Sequence, residues 1–192
     1  MSDTPRGPAA PLPRPGEGSL SARLAEILRV DHAGELGAVA IYRGQSAVLG
    51  EARGQARIAG QLAKMADQEA AHLARFDQLV SERRIRPTAL APVWRLAGFA
   101  LGAGTALLGP KAAHACTEAV ETVIAQHYAS QIDELADLEP ELAAELSAFR
   151  DEEIAHRDQA VEEGARQAPG YRLLSAVIGA GCRAAIRISE KI

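Results

Sequence analysis

The sequence predicts an all-α protein whose main body is a four-helix bundle. Helix-favouring residues such as Ala, Leu, Glu, Gln and Arg are plentiful, whereas aromatic residues make up only 4% of the chain. No segment alternates apolar and polar residues for long enough to indicate a strand. A set of residues also recurs along the chain, which indicates that one helical hairpin is present twice.

Glycines and prolines set the ends of the predicted helices. The first helix begins near Ser19 or Ser21, either of which can cap it, and Gly50 ends it. Pro92 and Pro110 suit the first turns of the third and fourth helices. The predicted helices cover about residues 19–49, 52–84, 90–108, 111–138, 140–164 and 171–191.

The 192 residues fit a single domain, which we predict to cover residues 19–192. Residues 1–18 hold five prolines and no apolar run, so we predict a disordered tail rather than a secretory signal. The net charge of −4, with no basic run outside the C-terminus, argues against nucleic acid as a partner. Cys116 and Cys182 have no metal-binding or redox spacing, which favours a reducing compartment.

Two sets of residues recur at constant offsets, the first after 86 residues and the second after 84. The first set pairs Glu35 with Glu121, Tyr42 with Tyr128 and Gln45 with Gln131. The second set pairs Asp67 with Asp151, Glu69 with Glu153 and His72 with His156. Two such hairpins, joined by the apolar segment at residues 86–110, supply four helices that can bury a shared core.

Each copy supplies one Glu on its first helix and a Glu-x-x-His motif on its second helix. Residues three apart on a helix share a face, so the Glu and the His of each motif point the same way. Four carboxylates and two imidazoles in this arrangement are the pattern of bundles that hold two iron or manganese ions. Oxygen and nitrogen ligands without thiolate suit these metals. The predicted ligands are Glu35, Glu69, His72, Glu121, Glu153 and His156.

Two neighbouring glutamates compete for ligand positions. Glu118 lies one turn before Glu121, but only Glu121 is followed by a tyrosine at the distance that the repeat requires. Glu152 precedes Glu153, but only Glu153 has a histidine three residues later. One Glu-x-x-His motif alone would fit a solvent-exposed face rich in Glu, whereas two copies favour a metal site.

Three further residues are candidate neighbours of the ligands. Tyr42 and Tyr128 lie two turns beyond a predicted ligand, so each is either a donor near the metals or substrate or a core tyrosine with a bonded hydroxyl. For His127, residue type alone favours a plain interhelical hydrogen bond. Ligating histidines usually donate their other ring proton to an acceptor. The candidate acceptors, each of which also fits a solvated helix face, are Asp31, Asp67, Asp151 and Glu152.

The most apolar segment and the last helix both indicate a membrane surface. Residues 90–108 are too short for a spanning helix of roughly 20 apolar residues, and Arg95 suits an interface. We expect this segment to enter one leaflet or to cover an apolar channel, with a buried core helix as the alternative. Arg183, Arg187 and Lys191 stand at i, i+4 spacing, as in basic amphipathic helices that lie on membranes. Packing of this helix on the bundle is the alternative.

Six stretches of the sequence, taken in order, form a recognisable series. They are VDHAGE (30–35), DQEAAH (67–72), GFALGAGTALLG (98–109), ACTEAVE (115–121), RDEEIAH (150–156) and AGCR (180–183). Together they resemble the demethoxyubiquinone hydroxylase family of ubiquinone biosynthesis. The resemblance covers roughly residues 20–192 and leaves out the Pro-rich tail.

The resemblance implies a ferritin-like fold with two iron ions, and the family's ligand pattern falls on the six residues chosen above from spacing. It implies that Glu69 and Glu153 bridge the irons. It also implies that the chain is a monooxygenase that hydroxylates the ring of a polyprenyl demethoxyubiquinol or demethoxyubiquinone. Dioxygen and an external reductant such as NADH would be consumed. Because the family associates peripherally with the membrane that holds its substrate, we expect the cytoplasmic side of an inner membrane.

Two other functions are alternatives. Another ferritin-like di-metal protein, for iron storage or peroxide scavenging, would react with oxygen without depending on a quinone. A lipid-binding helical bundle that is not an enzyme would bind no iron tightly. Exposed apolar helices would suit a homo-oligomer or an accessory lipid-binding protein of ubiquinone biosynthesis.

Overall fold

The structure, a computed structural model, describes residues 20–50 and 56–192. Every regular element among these residues is helical, so the predicted all-α class is confirmed. The helices are α1 Leu20–Leu49, α2 Ala56–Glu82, α3 Ala91–Leu107, α4 Pro110–Leu135, α5 Pro140–Glu162 and α6 Tyr171–Ser189, with a 3₁₀ turn at Ala165–Gln167 before α6. The tail predicted for residues 1–18 and the predicted start of the second helix lie outside the described residues.

Prolines and glycines define helix ends as the sequence predicts. α4 begins at Pro110 and α5 at Pro140, in the first turn, where a missing N–H is tolerated. Gly109 precedes α4 with a φ of 109°, a left-handed value that suits glycine. α4 ends at Leu135, earlier than predicted, because the chain turns there towards Pro140. The residue before that proline, Glu139, is accordingly not helical.

The four long helices α1, α2, α4 and α5 form the bundle. α1 packs along α2 and α4 packs along α5, the pairs in which the sequence predicts hairpins, and α1 also contacts α4. An ion pair of 2.5 Å joins Arg75 of α2 to Glu145 of α5, and one of 2.8 Å joins Arg83, just after α2, to Glu139, just before α5. The four helices therefore enclose a common interior. Their closer assignment to the ferritin-like class stays a prediction.

Two apolar clusters fill the interior at different levels of the bundle. One cluster includes Leu28 of α1, Phe76 of α2 and Leu146 of α5. The other includes Tyr42 of α1 and Met65 of α2. Apolar layers therefore close both ends of the stretches of α1 and α2 that lie between these clusters. Polar groups buried in these stretches need partners.

α3 packs along the outside of α1 through glycines. A Cβ atom on Gly98 would lie 2.7 Å from the carbonyl oxygen of Gly37, and a Cβ atom on Gly102 would overlap the carbonyl oxygen of Ile41. The lack of side chains at Gly98 and Gly102 therefore lets the two backbones approach closely. α6 packs against α4 and also contacts α1.

The two outer helices carry exposed apolar side chains. Leu96 and Leu107 of α3 are 72% and 75% exposed, and Leu173 and Val177 of α6 are 73% and 62% exposed. Over the ranges that the structure describes, no helix combines the length and the apolar run needed to cross a bilayer. The exposed leucines and valine named above give α3 and α6 each an exposed apolar side.

Candidate metal centre

The structure brings the six predicted ligands together in the middle of the bundle. α1 and α4 contribute one Glu each, whereas α2 and α5 each contribute a Glu and a His one turn apart. All six side chains are buried. Their potential ligand atoms form two groups, in each of which all atoms lie within 4.8 Å of one another. One group is Glu35, Glu69, His72 and Glu153, and the other is Glu69, Glu121, Glu153 and His156.

Both imidazoles present Nδ1 to the carboxylates. Nδ1 of His72 lies 3.2 Å from Oε1 of Glu153 and 3.7 Å from Oε2 of Glu35. Nδ1 of His156 lies 3.0 Å from Oε1 of Glu69 and 3.4 Å from Oε2 of Glu153. Glu153 thus contacts both histidines, and the two groups adjoin each other.

The polar atoms that face the centre lack hydrogen-bond partners. Both oxygens of Glu69 and of Glu153 are buried and unpartnered. One oxygen of Glu35, one oxygen of Glu121 and Nδ1 of each histidine share this state. Buried polar groups are otherwise almost always paired, so unpartnered atoms that converge on one place fit a bound cation. A hard oxygen and nitrogen donor set of this kind fits two divalent iron or manganese ions.

The remaining oxygens of Glu35 and Glu121 bond to tyrosines of the opposite hairpin. The hydroxyl of Tyr42 on α1 donates to Oε1 of Glu121 on α4 at 2.8 Å, and the hydroxyl of Tyr128 on α4 donates to Oε1 of Glu35 on α1. Burial raises the pKa of both phenols well above its usual value, so both remain donors. The structure thus places both predicted tyrosines as hydrogen-bond partners of the candidate ligands.

The outer nitrogens of the two histidines contact residues of the opposite hairpin. Nε2 of His72 donates to Oε2 of Glu152 at 3.2 Å, and Nε2 of His156 donates to Oε1 of Gln68 at 3.2 Å. Among the four candidate acceptors from the sequence, Glu152 fills this role, while Asp67 and Asp151 are exposed. Sequence reasoning missed Gln68, although the offset of 84 residues aligns it with Glu152.

His127 and Asp31 make no hydrogen bond to the six candidate ligands among the residues that the structure describes. Nε2 of His127 is 2.9 Å from Nε2 of Gln131 and 3.6 Å from Oδ1 of Asp31. Gln131 also donates to Asp31 at 2.8 Å. His127 therefore contacts Gln131 of its own helix and lies 3.6 Å from Asp31 of α1, so an interhelical hydrogen bond of His127 stays a prediction.

Glu118 lies outside the cluster, as the repeat predicts. Its Oε1 accepts a hydrogen bond from Nε of Arg166 at 3.0 Å. Neither Glu118 nor Glu152 belongs to the two groups of converging atoms, whereas Glu121 and Glu153 do. The choice made from the repeat therefore agrees with the geometry.

Three of the four buried carboxyls have raised pKa values when no cation is bound. Burial, reinforced by the charge of Glu153, raises the pKa of Glu35 to about 8 and holds those of Glu69 and Glu121 well above the usual range. Burial acts the same way on Glu153, but its close contacts with the imidazoles of His156 and His72 outweigh it and hold its pKa at about 2. Burial disfavours charge on His72, yet Glu153, Glu35 and Glu152 raise its pKa to about 9. Cations would replace these protons.

The structure contains an apolar cavity of about 390 Å³. It lies among α1, α3, α4 and α6, and its walls include Ala38, Ile41, Trp94, Leu101 and Ile124. Ala38 lies three residues after Glu35 and Ile124 three residues after Glu121, but none of the six candidate ligands lines the cavity.

The sequence also matches a known family model. The model described as "Ubiquinone biosynthesis protein COQ7" matches residues 22–189, which is most of the chain. The chain belongs to this family. The family match agrees with the resemblance expected from the sequence motifs, and it covers every residue of the candidate centre.

Individual relatives agree with the family match. A 3-demethoxyubiquinol 3-hydroxylase of Rhodospirillum rubrum is 54% identical over 93% of this chain and 82% of its own length. The human NADPH-dependent 3-demethoxyubiquinone 3-hydroxylase is 49% identical over 89% and 79%. The 5-demethoxyubiquinone hydroxylase of Saccharomyces cerevisiae is 41% identical over 90% and 79%. The chain is therefore an enzyme of the hydroxylase class.

Proposed function

We propose that this chain is a di-iron monooxygenase of ubiquinone biosynthesis that hydroxylates the ring of a polyprenyl demethoxyubiquinol or demethoxyubiquinone with dioxygen. The observation that carries this proposal is the convergence of two buried ligand groups that share Glu69 and Glu153. The printed names of the relatives, which specify hydroxylation of this ring, support the substrate.

The unpartnered atoms support a role for each ligand. Glu69 and Glu153 offer both oxygens and belong to both groups, so they suit bridging positions. Glu35 and Glu121 each have one oxygen bonded to a tyrosine and one free, so they suit terminal positions. When two irons are bound, they supply the redox chemistry that activates dioxygen. The protein holds the ligands in place and keeps water away from them.

The electrons come from outside the chain. The names of the mammalian relatives specify NADPH, whereas the sequence resemblance suggested NADH. We propose a reduced nicotinamide nucleotide as the ultimate reductant.

The apolar cavity suits the substrate. Its walls at Ile41, Leu101 and Ile124 offer apolar contacts to a quinone ring and its isoprenoid tail. Because α1 and α4 both line this cavity and carry Glu35 and Glu121, the ring would approach the metal pair between these two helices. Tight apolar packing at both ends of the centre would keep competing water out.

We propose that the chain associates peripherally with an inner membrane, on its cytoplasmic side. Leu96 of α3 and Leu173 of α6 are exposed apolar side chains on the two helices that flank the cavity. Exposed Arg183 and Arg187 add positive charge to α6, which suits anionic lipid. The same apolar surface could be covered by a second copy or an accessory lipid-binding protein of the pathway.

The test is iron content together with product formation. The reconstituted chain should hold about two irons and convert a short-chain demethoxyubiquinone to the hydroxylated product, with dioxygen and a reductant. Glu153→Ala should lose both iron and turnover. Glu141→Ala, at an exposed position on the same helix, should keep both. Bound iron with oxygen uptake that does not depend on the quinone would indicate iron storage or peroxide scavenging. Absence of bound iron would indicate a lipid-binding helical bundle that is not an enzyme.

A further inference from the structure

The outer nitrogens of the two ligand histidines are connected through one hydrogen-bonded pair. Gln68 of α2 and Glu152 of α5 occupy equivalent positions of the two hairpins, each directly before a bridging Glu. Nε2 of Gln68 donates to Oε2 of Glu152 at 3.3 Å. Oε1 of Gln68 accepts from His156, and the same oxygen of Glu152 accepts from His72. A continuous chain of hydrogen bonds therefore runs outside the centre from one histidine to the other.

This series of hydrogen bonds determines the orientation of the Gln68 amide and the position of the proton on each histidine. The amide of Gln68 must present its oxygen to His156, because its nitrogen donates to the Glu152 carboxylate. When a metal is bound, both histidines keep their proton on Nε2 and offer the Nδ1 lone pair to the metal. The partner of His72 is a carboxylate and the partner of His156 is a neutral amide.

The hydrogen bonds of Glu35 and Glu121 match in the two groups, although the ring neighbours differ, with Phe149 beside His72 and Tyr42 beside His156. In each group one terminal Glu bonds to one tyrosine of the opposite hairpin, and both groups share the same two bridging candidates. The difference between Gln68 and Glu152 is thus a local break in the repeat. A carboxylate accepts a hydrogen bond more strongly than an amide does and places negative charge beside the ring, which makes Nδ1 the better donor to a cation.

We propose that the two metal positions are unequal, and that the position held by His72 binds a divalent cation more tightly and fills first because its outer partner is Glu152. Glu152 and Gln68 are then positioning residues that act through the histidines. This inference rests on the proposed di-metal function. The Glu152 side chain is 44% exposed, so solvent weakens its effect. We expect about a tenfold difference, at the lower end of what such partners contribute.

The experiment is a stepwise titration of the metal-free chain with Co(II), followed by visible absorption and by competition with a chelator. The wild type should show two binding steps that differ about tenfold in affinity. Glu152→Gln, which keeps the size and the acceptor but removes the charge, should weaken the first step about tenfold, so that the two steps merge. Circular dichroism should confirm that the variant is folded.

A second variant separates this effect from a general loss of structure. Gln68→Glu alone would place two carboxylates side by side, so the exchange is made in both positions at once. The double variant Gln68→Glu with Glu152→Gln keeps one carboxylate and one amide, and it should restore the tenfold gap. In a His156→Ala background only the His72 position remains, and there Glu152→Gln should still weaken the single step about tenfold.

The outcomes distinguish this inference from the proposed function. Two steps of equal affinity in the wild type, or an unchanged first step in Glu152→Gln, would overturn the inequality and leave the di-metal function intact. Failure of the wild type to bind Co(II) would overturn both. Merged steps in Glu152→Gln that separate again in the double variant would establish the role of the Gln68–Glu152 pair.

Discussion

The hydroxyl of Tyr42 donates a 2.8 Å hydrogen bond to Oε1 of Glu121, which lies on the other hairpin. The equivalent Tyr128 donates in the opposite direction, to Glu35. Each terminal carboxylate is therefore oriented by the helix that faces it, which leaves its second oxygen directed at the centre. The two bonds tie the hairpins together at the level of the metal ligands.

Tyr42→Phe tests this arrangement because it removes only the hydroxyl. Oε1 of Glu121 would then be buried without a donor, which should lower the free energy of unfolding by about 1–3 kcal/mol. The loss of an orienting partner should also weaken cation binding by about tenfold. Urea unfolding and Co(II) titration measure the two effects. Tyr171→Phe, at a partly exposed tyrosine, is the control and should change neither quantity appreciably.

Metal binding should depend on pH because the metal-free centre holds protons. The pKa of Glu35 is raised to about 8, chiefly by burial and the charge of Glu153. Burial alone would lower the pKa of His72, but the close contact with Glu153 and the charges of Glu35 and Glu152 raise it to about 9. At about pH 6 a cation must displace these protons, and above about pH 9 they are already gone. Affinity should therefore rise between these values.

Titration with Co(II) in weakly buffered solution containing a pH indicator measures this dependence. More protons should be released per ion at about pH 6.5 than at about pH 9. His72→Gln should release fewer protons at the lower pH because it lacks one of the protonated groups. An affinity that stays constant across this range would contradict the protonated state that burial imposes on the centre.

Repetition made most of the candidate centre predictable from sequence. The repeat selected Glu121 over Glu118, the Glu-x-x-His spacing selected Glu153 over Glu152, and the structure brings the selected residues together. Gln68 was missed because all the candidate acceptors for the histidines were carboxylates. A neutral amide gives no signal of its own, and only its alignment with Glu152 would have found it.

The helices were predictable where the sequence contains strong local signals. Pro110 and Pro140 begin helices because proline is tolerated only in the first turn. The packing of α3 on α1 was less accessible to prediction. It depends on Gly98 and Gly102 meeting the α1 backbone, and the alignment of two helices distant in sequence cannot be read from either helix alone.

Gly102→Ala tests that packing. The added methyl group would overlap the carbonyl oxygen of Ile41. Because that oxygen belongs to the backbone of α1, α3 would have to move. Overpacking of this kind should cost about 1–3 kcal/mol of folding free energy. Displacement of α3 should also distort the cavity, so turnover of a long-tailed substrate should fall.

A matched control lies on the same helix. A Cβ atom on Gly104 would meet nothing within 4 Å, so Gly104→Ala should be neutral or stabilise the helix by about 0.5–1 kcal/mol. Thermal or urea unfolding of both variants, with assays on short-tailed and long-tailed substrates, compares them. Equal stability of the two alanine variants would contradict the close backbone contact between α1 and α3.

Leu96→Ser and Leu173→Ser test whether the outer surfaces of α3 and α6 meet the membrane. Burying a leucine contributes about 1.5–3 kcal/mol, and about 1.4 kcal/mol corresponds to a tenfold change in binding. Each variant should therefore bind vesicles containing anionic lipid at least about tenfold more weakly in co-sedimentation. Leu138→Ser alters a leucine that is also exposed but lies between α4 and α5, so it should bind as the wild type does. Equal binding by all three variants would mean that the apolar sides of α3 and α6 face something other than lipid. Activity on a short-tailed, water-soluble substrate should stay unchanged throughout, because none of the three leucines lines the cavity or the metal centre.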